Sequence, residues 1–234
     1  MIRRTPNQYQ DPTLFPFKWA VPIKFFIGVG FILSSFLPSV YSLICGLLLV
    51  SGVVIRNILA RLGMCTDPLT KRVIPGRRHA VIDGDYVVFL IGARPNRIVD
   101  PYFKEMGDSF EKMVTELEND PSLGYLGSDS FIGATGTCCI QYWEDTASLN
   151  AWAANPRNTH LAAWKKLSRM GKASTDYAFW HETHKVSDGQ YETIYANCAP
   201  MLLGNCRGVE LLDVDKDDKL NSAAGRMGDE KKEE

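Results

Sequence analysis

The stretch that decides the fold is GYLGSDSFIGATGTCCIQYWED, residues 124–145. It consists of two runs of strand-forming residues, 124–133 and 135–145, which the segment Gly-Ala-Thr-Gly joins. A short glycine-containing connection between two such runs is typical of a β-hairpin. No helix separates these strands, so they pair antiparallel.

The segments on either side of this hairpin alternate between strand and helix patterns. The predicted elements are a strand at 86–96, a helix at 99–120, the two hairpin strands, a helix at 146–171 interrupted at Asn155-Pro156, and a strand at 176–186. The order β-α-β-β-α-β is that of the ferredoxin-like fold, an α+β domain with two helices on one face of a four-stranded antiparallel sheet.

Two details refine this prediction. Asp100 is expected to cap the first helix, with Pro101 at its first position. The run 191–198 is expected to extend the sheet after a Ser-Asp-Gly turn.

Both faces of the predicted sheet carry apolar residues, as Val87 to Leu90 illustrate on the first strand. Two helices cover only one face, so the other face needs a cover. A second copy of the chain, packed sheet to sheet, would supply it, and the sequence therefore predicts a homodimer.

The amino-terminal part contains a long apolar run, residues 25–55, without one charged residue. We expect a polar segment at 1–16 and a membrane segment at 17–62. Two spans, Phe17–Leu37 and Val40–Leu59, would form a hairpin, and basic residues on both flanks would place its ends in the cytosol. A single span kinked at Pro38 and a buried hairpin of a soluble protein stay open.

The remaining boundaries follow from composition. Residues 63–85 are predicted to be a linker, whose basic residues 71–78 either contact anionic lipid headgroups or are simply solvated. The folded domain is expected at 86–209. Residues 210–234 are charged and poor in apolar side chains, which predicts a disordered tail.

Charge and cysteine content exclude some classes of protein. The net charge of −1 gives no field that would favour nucleic acid. The six cysteines contain no CxxC pair and are predicted to be reduced thiols. Cys138 and Cys139 are adjacent, so they should point to opposite faces of their strand.

Four motifs then suggest a family: FLIGARPN at 89–96, QYWEDTASLNAWA at 141–153, NTHLAAW at 158–164, and FWHETHKVSDGQYETIYANCAP at 179–200. The domain resembles the dimeric α/β-barrel proteins related to antibiotic-biosynthesis monooxygenases. Within them it is most similar to a branch that includes the membrane-bound monooxygenase of the fungal fumagillin cluster.

The resemblance implies oxygen chemistry in a pocket between the sheet and the helices, without flavin, haem or metal. The deprotonated substrate would itself reduce O₂, and the protein would supply a base and hydrogen bonds to the anion. It further implies a lipophilic terpenoid or polyketide intermediate of fungal specialised metabolism. It also implies an endoplasmic reticulum location with the domain in the cytosol.

His160 and His181 are the predicted catalytic residues. His160 shares a helix face with Ala163 and Trp164, and an imidazole titrates near neutral pH. A partly exposed histidine at a helix start is the alternative. His181 should share its strand face with Phe179 and Thr183.

Glu182 should lie on the opposite face, with Trp180 and His184. Either Trp180 or Glu182 pairs across the strands with Arg94, or Glu182 has a structural role in the scaffold. A metal site is disfavoured because Glu182 and His181 point apart, and haem bound by His160 or His181 is the weaker cofactor alternative. The predicted pocket residues are Tyr142, Trp164, Trp180, Glu182, Tyr195 and Asn197.

The sequence therefore predicts a membrane-anchored monooxygenase that uses O₂ and a lipophilic substrate. Two alternatives stay open. One is a non-catalytic accessory protein that binds an intermediate of the pathway, and the other is a haem-dependent lyase or dehydratase on the same fold.

Overall fold

The computed structural model describes residues 29–30, 32, 34–36, 39–65, 72–96, 101–133, 136–173 and 175–228. The predicted segment 1–16, most of the first predicted span, and the cap Asp100 lie outside these residues. The chain divides into two units. One contains the described residues within 76–196 and 200–228, and the other contains those within 29–75 and 197–199.

Helix α1 (Ser39–Arg61) is predominantly apolar, and its two charged residues, Arg56 and Arg61, lie near its carboxyl-terminal end. It is long and apolar enough to cross a membrane, with a mean hydropathy of 2.2 in its most apolar part, and none of that part is buried. It includes the second predicted span, Val40–Leu59. The support for a membrane span is the length and the composition of this helix.

The larger unit is built on a four-stranded antiparallel sheet with strand order β3-β4-β2-β5. Its elements are β2 (Tyr86–Pro95), α2 (Pro101–Asn119), β3 (Tyr125–Gly133), β4 (Gly136–Trp143), α3 (Thr146–Ala154), α4 (Thr159–Ala173) and β5 (Tyr177–Val186). This order and topology confirm the predicted α+β, ferredoxin-like domain.

The element ends match their sequence signals closely. Helix α2 begins at Pro101, as predicted. Asp145 accepts a hydrogen bond of 2.6 Å from the Ser148 backbone N–H and so caps α3. The predicted interruption at Asn155-Pro156 separates α3 from α4.

One face of the sheet packs on the helices, and we call it the helix side. Trp143 and Leu117 are fully buried there, and Tyr125 is 1 % exposed. Trp143 contacts both Tyr125 and Trp152, with ring centroids 5.4 and 5.7 Å apart. Truncating an aromatic residue in such a site costs about 3–5 kcal/mol, so this cluster anchors the domain.

The other face, which we call the outer side, is partly covered by the chain itself. A second, three-stranded sheet has the order β6-β1-β7, formed by β6 (Tyr195–Cys198), β1 (Ile74–Val81) and β7 (Glu210–Asp213). Side chains from this part pack with Tyr86, Tyr142 and Leu126 in one buried cluster. The chain therefore covers, by itself, part of the face that we had assigned wholly to a second copy.

Two segments differ from the sequence prediction because of this second sheet. The predicted linker contains β1, which pairs with β7 from Arg78 opposite Asp213 to Val81 opposite Glu210. The run 191–198 does not extend the main sheet, since β6 belongs to the smaller one. Such pairings join residues far apart in the chain, and strand periodicity alone cannot detect them.

The segment 210–228, which we predicted to be disordered, is folded in the structure. Val214 is fully buried. Asp215 pairs with Arg77 at 2.7 Å, and Arg226 pairs with Glu192. Charged residues of this segment therefore form ion pairs with residues elsewhere in the chain, and amino-acid composition does not reveal such pairs. Residues 229–234 lie outside the described part of the chain.

All six cysteines are free thiols in the structure. Cys138 and Cys139 point to opposite faces as predicted, since Cys139 is buried and Cys138 is half-buried. Burial raises the pKa of both thiols, so neither is a poised thiolate.

Candidate functional site

His160 lies in the first turn of α4, where it contacts the end of α3. Its Nδ1 is 2.9 Å from the backbone oxygen of Ala153. Its ring packs on Trp152, with the ring centroids 5.1 Å apart. Trp152 is buried and belongs to the helix-side core. His160 therefore lies on the side of the sheet where the pocket was predicted.

This contact determines which tautomer the neutral imidazole adopts. A carbonyl oxygen can only accept, so Nδ1 must carry the hydrogen. In the neutral ring the lone pair is then on Nε2. An imidazole held in this way presents Nε2 as a proton acceptor, which is the arrangement that a general base requires.

Glu116 of α2 supports the same region, and sequence reasoning missed it. Its Oε1 accepts a hydrogen bond of 2.9 Å from the Trp152 indole, and its Oε2 accepts one of 3.0 Å from the Thr159 backbone N–H. Burial raises its pKa, but hydrogen bonds from Thr159 and Trp152 outweigh that effect and hold the pKa of Glu116 below its usual value. The sequence indicated only that Glu116 lies on an amphipathic helix.

His181 lies on β5, opposite Ile91 of β2. Its ring is 5.4 Å from that of Phe89, which packs on the helix-side core. The predicted face shared with Phe179 and Thr183 is confirmed, since these residues pair with Ala93 and Phe89. His181 is exposed, however, and the edge strand leaves it open to solvent.

Both candidate histidines thus lie on the helix side, each against an aromatic ring of the core. Within the described part of the chain, no group of three or more His, Cys, Asp or Glu side chains is placed to hold a metal ion. The chain has a fourth histidine, His79 of β1, which was not among the predicted site residues. It is buried, and its Nδ1 lies 3.0 Å from Thr193.

Glu182 and His184 lie on the outer side, as the alternation predicts. Their side chains approach at 3.1 Å, and both are exposed. Glu182 lies opposite Leu90, whereas Arg94 lies opposite Ala178. The suggested cross-strand pair of Glu182 or Trp180 with Arg94 is therefore wrong in register. An exposed pair of this kind contributes at most about 1 kcal/mol.

Tyr142 and Tyr195 belong to the buried cluster between the two sheets. Tyr195 accepts a hydrogen bond of 3.0 Å from the Gly204 backbone N–H. Burial, with Cys206 and Tyr195 nearby, raises the pKa of Tyr142 far above its usual value. The Tyr142 hydroxyl therefore stays protonated. Asn197 is exposed on β6, with a positive φ of 49°.

Trp164 and Trp180 lie on different sides of the sheet. Trp164 of α4 packs edge-on against Phe179 at 5.3 Å, on the helix side. Trp180 lines a shallow outer-side groove of about 240 Å³ with Phe131 and Cys138. The five predicted pocket residues of the larger unit are thus spread over three places, and the structure does not bring these five into one pocket. They are Tyr142, Trp164, Trp180, Glu182 and Tyr195.

The outer-side groove does not fit a haem. The groove is smaller than the roughly 300–1,000 Å³ usual for ligand sites, and neither His160 nor His181 lines it. His181 stands on an exposed edge strand. The Nδ1 contact of His160 with a backbone carbonyl leaves Nε2 free, and this arrangement serves a base and an iron ligand equally. No step through a haem follows from this arrangement.

The comparison with protein families gives a match over half of the chain. A family model described as “Monooxygenase af470-like” matches residues 86–203, which contain β2 to β5 and both histidines. The chain belongs to the monooxygenase af470-like family. That confirms the resemblance inferred from the four motifs.

A curated member of this family is similar along most of the chain. It is monooxygenase af470 of Aspergillus fumigatus, 27% identical in an alignment 224 residues long that covers 85% of this chain and 76% of the relative. The family name and this relative's name support an oxygenase-type enzyme at family level.

Solved structures show more distant likenesses. An aldoxime dehydratase in complex with butyraldoxime has a TM-score of 0.44 at 20% identity, covering 55% of this chain and 41% of its own. SnoaB, a cofactor-independent oxygenase from Streptomyces nogalater, has a TM-score of 0.32 at 15% identity, covering 42% of this chain and 90% of its own. At such low TM-scores, neither likeness bears on what this chain binds or does.

Proposed function

We propose that the chain is a membrane-anchored monooxygenase that needs no cofactor and oxidises a lipophilic intermediate of fungal specialised metabolism, of terpenoid or polyketide type. The single observation that carries the chemistry is the fixed imidazole of His160. Its Nδ1 donates to a backbone carbonyl, which leaves the lone pair on Nε2. Family membership supplies the oxygenase class.

In this proposal Nε2 of His160 removes a proton from an activated carbon of the substrate. The resulting carbanion gives its electrons to O₂, one oxygen atom stays in the product as a carbonyl, and the other leaves as water. The substrate carbon supplies all the electrons, so the balance needs no external reductant. His181 is the second candidate base, because its ring lies on the same side of the sheet against Phe89.

Isotope labelling tests this activity directly. Membranes containing the full chain are incubated under ¹⁸O₂ with an apolar-solvent extract of the source organism, and products that gain one labelled atom are sought by mass spectrometry. His160→Gln should lower that labelling at least a hundredfold, the usual contribution of a general base. His184→Gln, an exposed histidine of the outer side, is the matched control. Equal labelling with both variants would remove His160 from the role of base.

The anchor is part of the same proposal. Helix α1 has the length and apolar composition of a span. A bilayer also concentrates an apolar substrate near the domain. We place the domain on the cytosolic side of the endoplasmic reticulum. Carbonate extraction and protease protection of microsomes test this, and a chain released by carbonate, or a domain protected in intact vesicles, would contradict it.

We further propose a homodimer formed through the uncovered part of the outer side. Phe131 and Trp180 are each 40% exposed there, which is unusual for aromatic side chains of a sheet. Trp180→Asp should convert the dimer to a monomer in light scattering of the detergent-solubilised chain, whereas Glu182→Gln should not. A monomeric unmodified chain would contradict the proposal.

A non-catalytic accessory role is the second candidate, and one observation favours it: the predicted pocket residues of the larger unit do not converge. Such a protein would bind the lipophilic intermediate without oxygen uptake. The ¹⁸O₂ experiment separates the two, because an accessory protein yields no labelled product when it is present alone.

A further inference from the structure

The neighbourhood of His160 contains a bridge between three helices. Glu116 on α2 accepts from Trp152 on α3 through one oxygen, at 2.9 Å, and from Thr159 on α4 through the other, at 3.0 Å. Both carboxylate oxygens are therefore used as acceptors from N–H groups. Such bonds to a charged acceptor are about twice as strong as bonds between neutral groups.

Glu116 binds Trp152 and Thr159, and each of these directly precedes one of the two residues that the imidazole hydrogen bond joins. Trp152 precedes Ala153, whose carbonyl accepts from His160, and Thr159 precedes His160 itself. The Trp152 ring also packs on the His160 ring at 5.1 Å. Moving either partner of Glu116 therefore moves one end of the His160–Ala153 hydrogen bond.

The connection between α3 and α4 contains further hydrogen bonds, but they are weaker restraints. The Asn158 side chain donates to the Trp152 carbonyl at 3.2 Å, and its backbone N–H donates to Asn155 at 3.1 Å. These bonds are local and close the loop. Glu116 lies on a separate helix, so it alone of these groups ties the loop to the rest of the fold.

From this arrangement we infer that Glu116 is a positioning residue that holds His160 in the Nδ1–H tautomer and so keeps Nε2 as the free base. The inference deepens the proposed function and rests on it for its catalytic meaning. The tautomer itself is a property of the folded protein, so it is measurable without any substrate. Glu116 does not touch the reacting atoms in this scheme.

The test is the ¹⁵N spectrum of the imidazoles in the full, detergent-solubilised chain. The chain has four histidines, so selective labelling gives a simple spectrum, provided that the purification tag contains none. The shifts of Nδ1 and Nε2 report which nitrogen carries hydrogen. His160→Gln assigns the signal. In its neutral form, His160 of the unmodified protein should be mainly the Nδ1–H tautomer.

Glu116→Gln keeps one amide oxygen as acceptor but cannot accept from both N–H groups. It should lower the Nδ1–H to Nε2–H ratio of His160 roughly tenfold, the scale of one lost hydrogen bond to a charged group. Trp152→Phe keeps an aromatic ring beneath His160 but removes the indole N–H, and should shift the ratio in the same direction. Glu111→Gln, an exposed position of the same helix, should leave the ratio unchanged.

The signals of the other three histidines show whether each variant is folded. An unchanged His160 ratio in both Glu116→Gln and Trp152→Phe, with those signals intact, would overturn the inference. A failure of the proposed function gives a different result from a failure of this inference. If His160→Gln leaves ¹⁸O incorporation unaltered while Glu116→Gln shifts the tautomer, His160 is positioned as inferred but is not the base.

Discussion

The indole of Trp180 lies across Gly92, its direct partner on the neighbouring strand. A Cβ placed at Gly92 would be 2.5 Å from Cε2 of Trp180 and 2.6 Å from the carbonyl oxygen of Thr137. The absence of a side chain at Gly92 is therefore what allows the indole to lie flat on the outer side. Trp180 in turn forms one wall of the groove that also contains Phe131.

Gly92→Ala should reduce the free energy of unfolding by about 1–3 kcal/mol, because the added methyl group must displace the indole and the strand. Chemical denaturation of the detergent-solubilised chain measures this. In a Trp180→Ala background the cost should shrink but not vanish, since the Thr137 carbonyl remains. Gly107→Ala on α2, where a Cβ meets nothing within 4 Å, is the control and should stabilise by about 1 kcal/mol. Equal effects at both glycines would contradict this explanation.

Asp129 links β3 to the segment that covers the outer side. It is buried, and its Oδ2 accepts a hydrogen bond from the Leu202 backbone N–H at the start of a 3₁₀ helix, Leu202–Asn205. Asp129→Ala leaves that donor unpaired and should cost about 1–3 kcal/mol. Asp129→Asn keeps an acceptor oxygen and should cost less. Denaturation midpoints that fall equally for both variants would show that the charge, rather than the hydrogen bond to Leu202, is what matters.

Substitution of Val214 tests whether the carboxyl-terminal segment 210–228 is packed against the domain in solution. It is fully buried, although it lies in a stretch whose composition resembles a disordered tail. Val214→Asp should destabilise the domain strongly, because it buries a charge without a partner. Lys219→Ala, at an exposed position nearby, should change stability by less than about 0.5 kcal/mol. A thermal melt in which Val214→Asp behaves like Lys219→Ala would mean that the segment is not packed in solution.

The lowered pKa of Glu116 predicts that the free energy of unfolding depends on pH. Its pKa is lowered in the folded protein, so its carboxylate contributes stability that is fully present above the unfolded-state value and is lost as the pH falls through the folded-state value. Glu116→Gln should therefore be less stable than the unmodified chain at pH 7, and the difference should narrow under acid conditions. Denaturation at several pH values measures it. Asp145 and Asp215 titrate in both proteins and cancel from the comparison.

Local patterns sufficed for much of the larger unit. The glycine-rich connection within 124–145 marked the hairpin, and the break at Asn155-Pro156 separated α3 from α4. Alternation along β5 placed His181 and Glu182 on opposite faces correctly. These signals succeed because strand and helix periods arise from backbone geometry within a few residues.

The candidate site was less accessible from the sequence. His160 was found because a histidine on an apolar helix face is chemically distinctive. Glu116 was not, since a glutamate on an amphipathic helix usually faces solvent, and its two donors lie 36 and 43 residues away. The pocket list mixed aromatic residues of both sheet faces, because aromatic side chains pack cores as often as they line sites.

The sequence by itself determined the order of strands and helices, the hairpin, the apolar helix and the face on which each β5 side chain lies, since these depend on local spacing. Only the tertiary structure decided that β1, β6 and β7 form a second sheet, that residues 210–228 are folded, and that Glu116 meets the start of α4. The physical reason is that these features are contacts between segments distant in the chain. Their energy comes from shape and hydrogen-bond partners that no single segment contains.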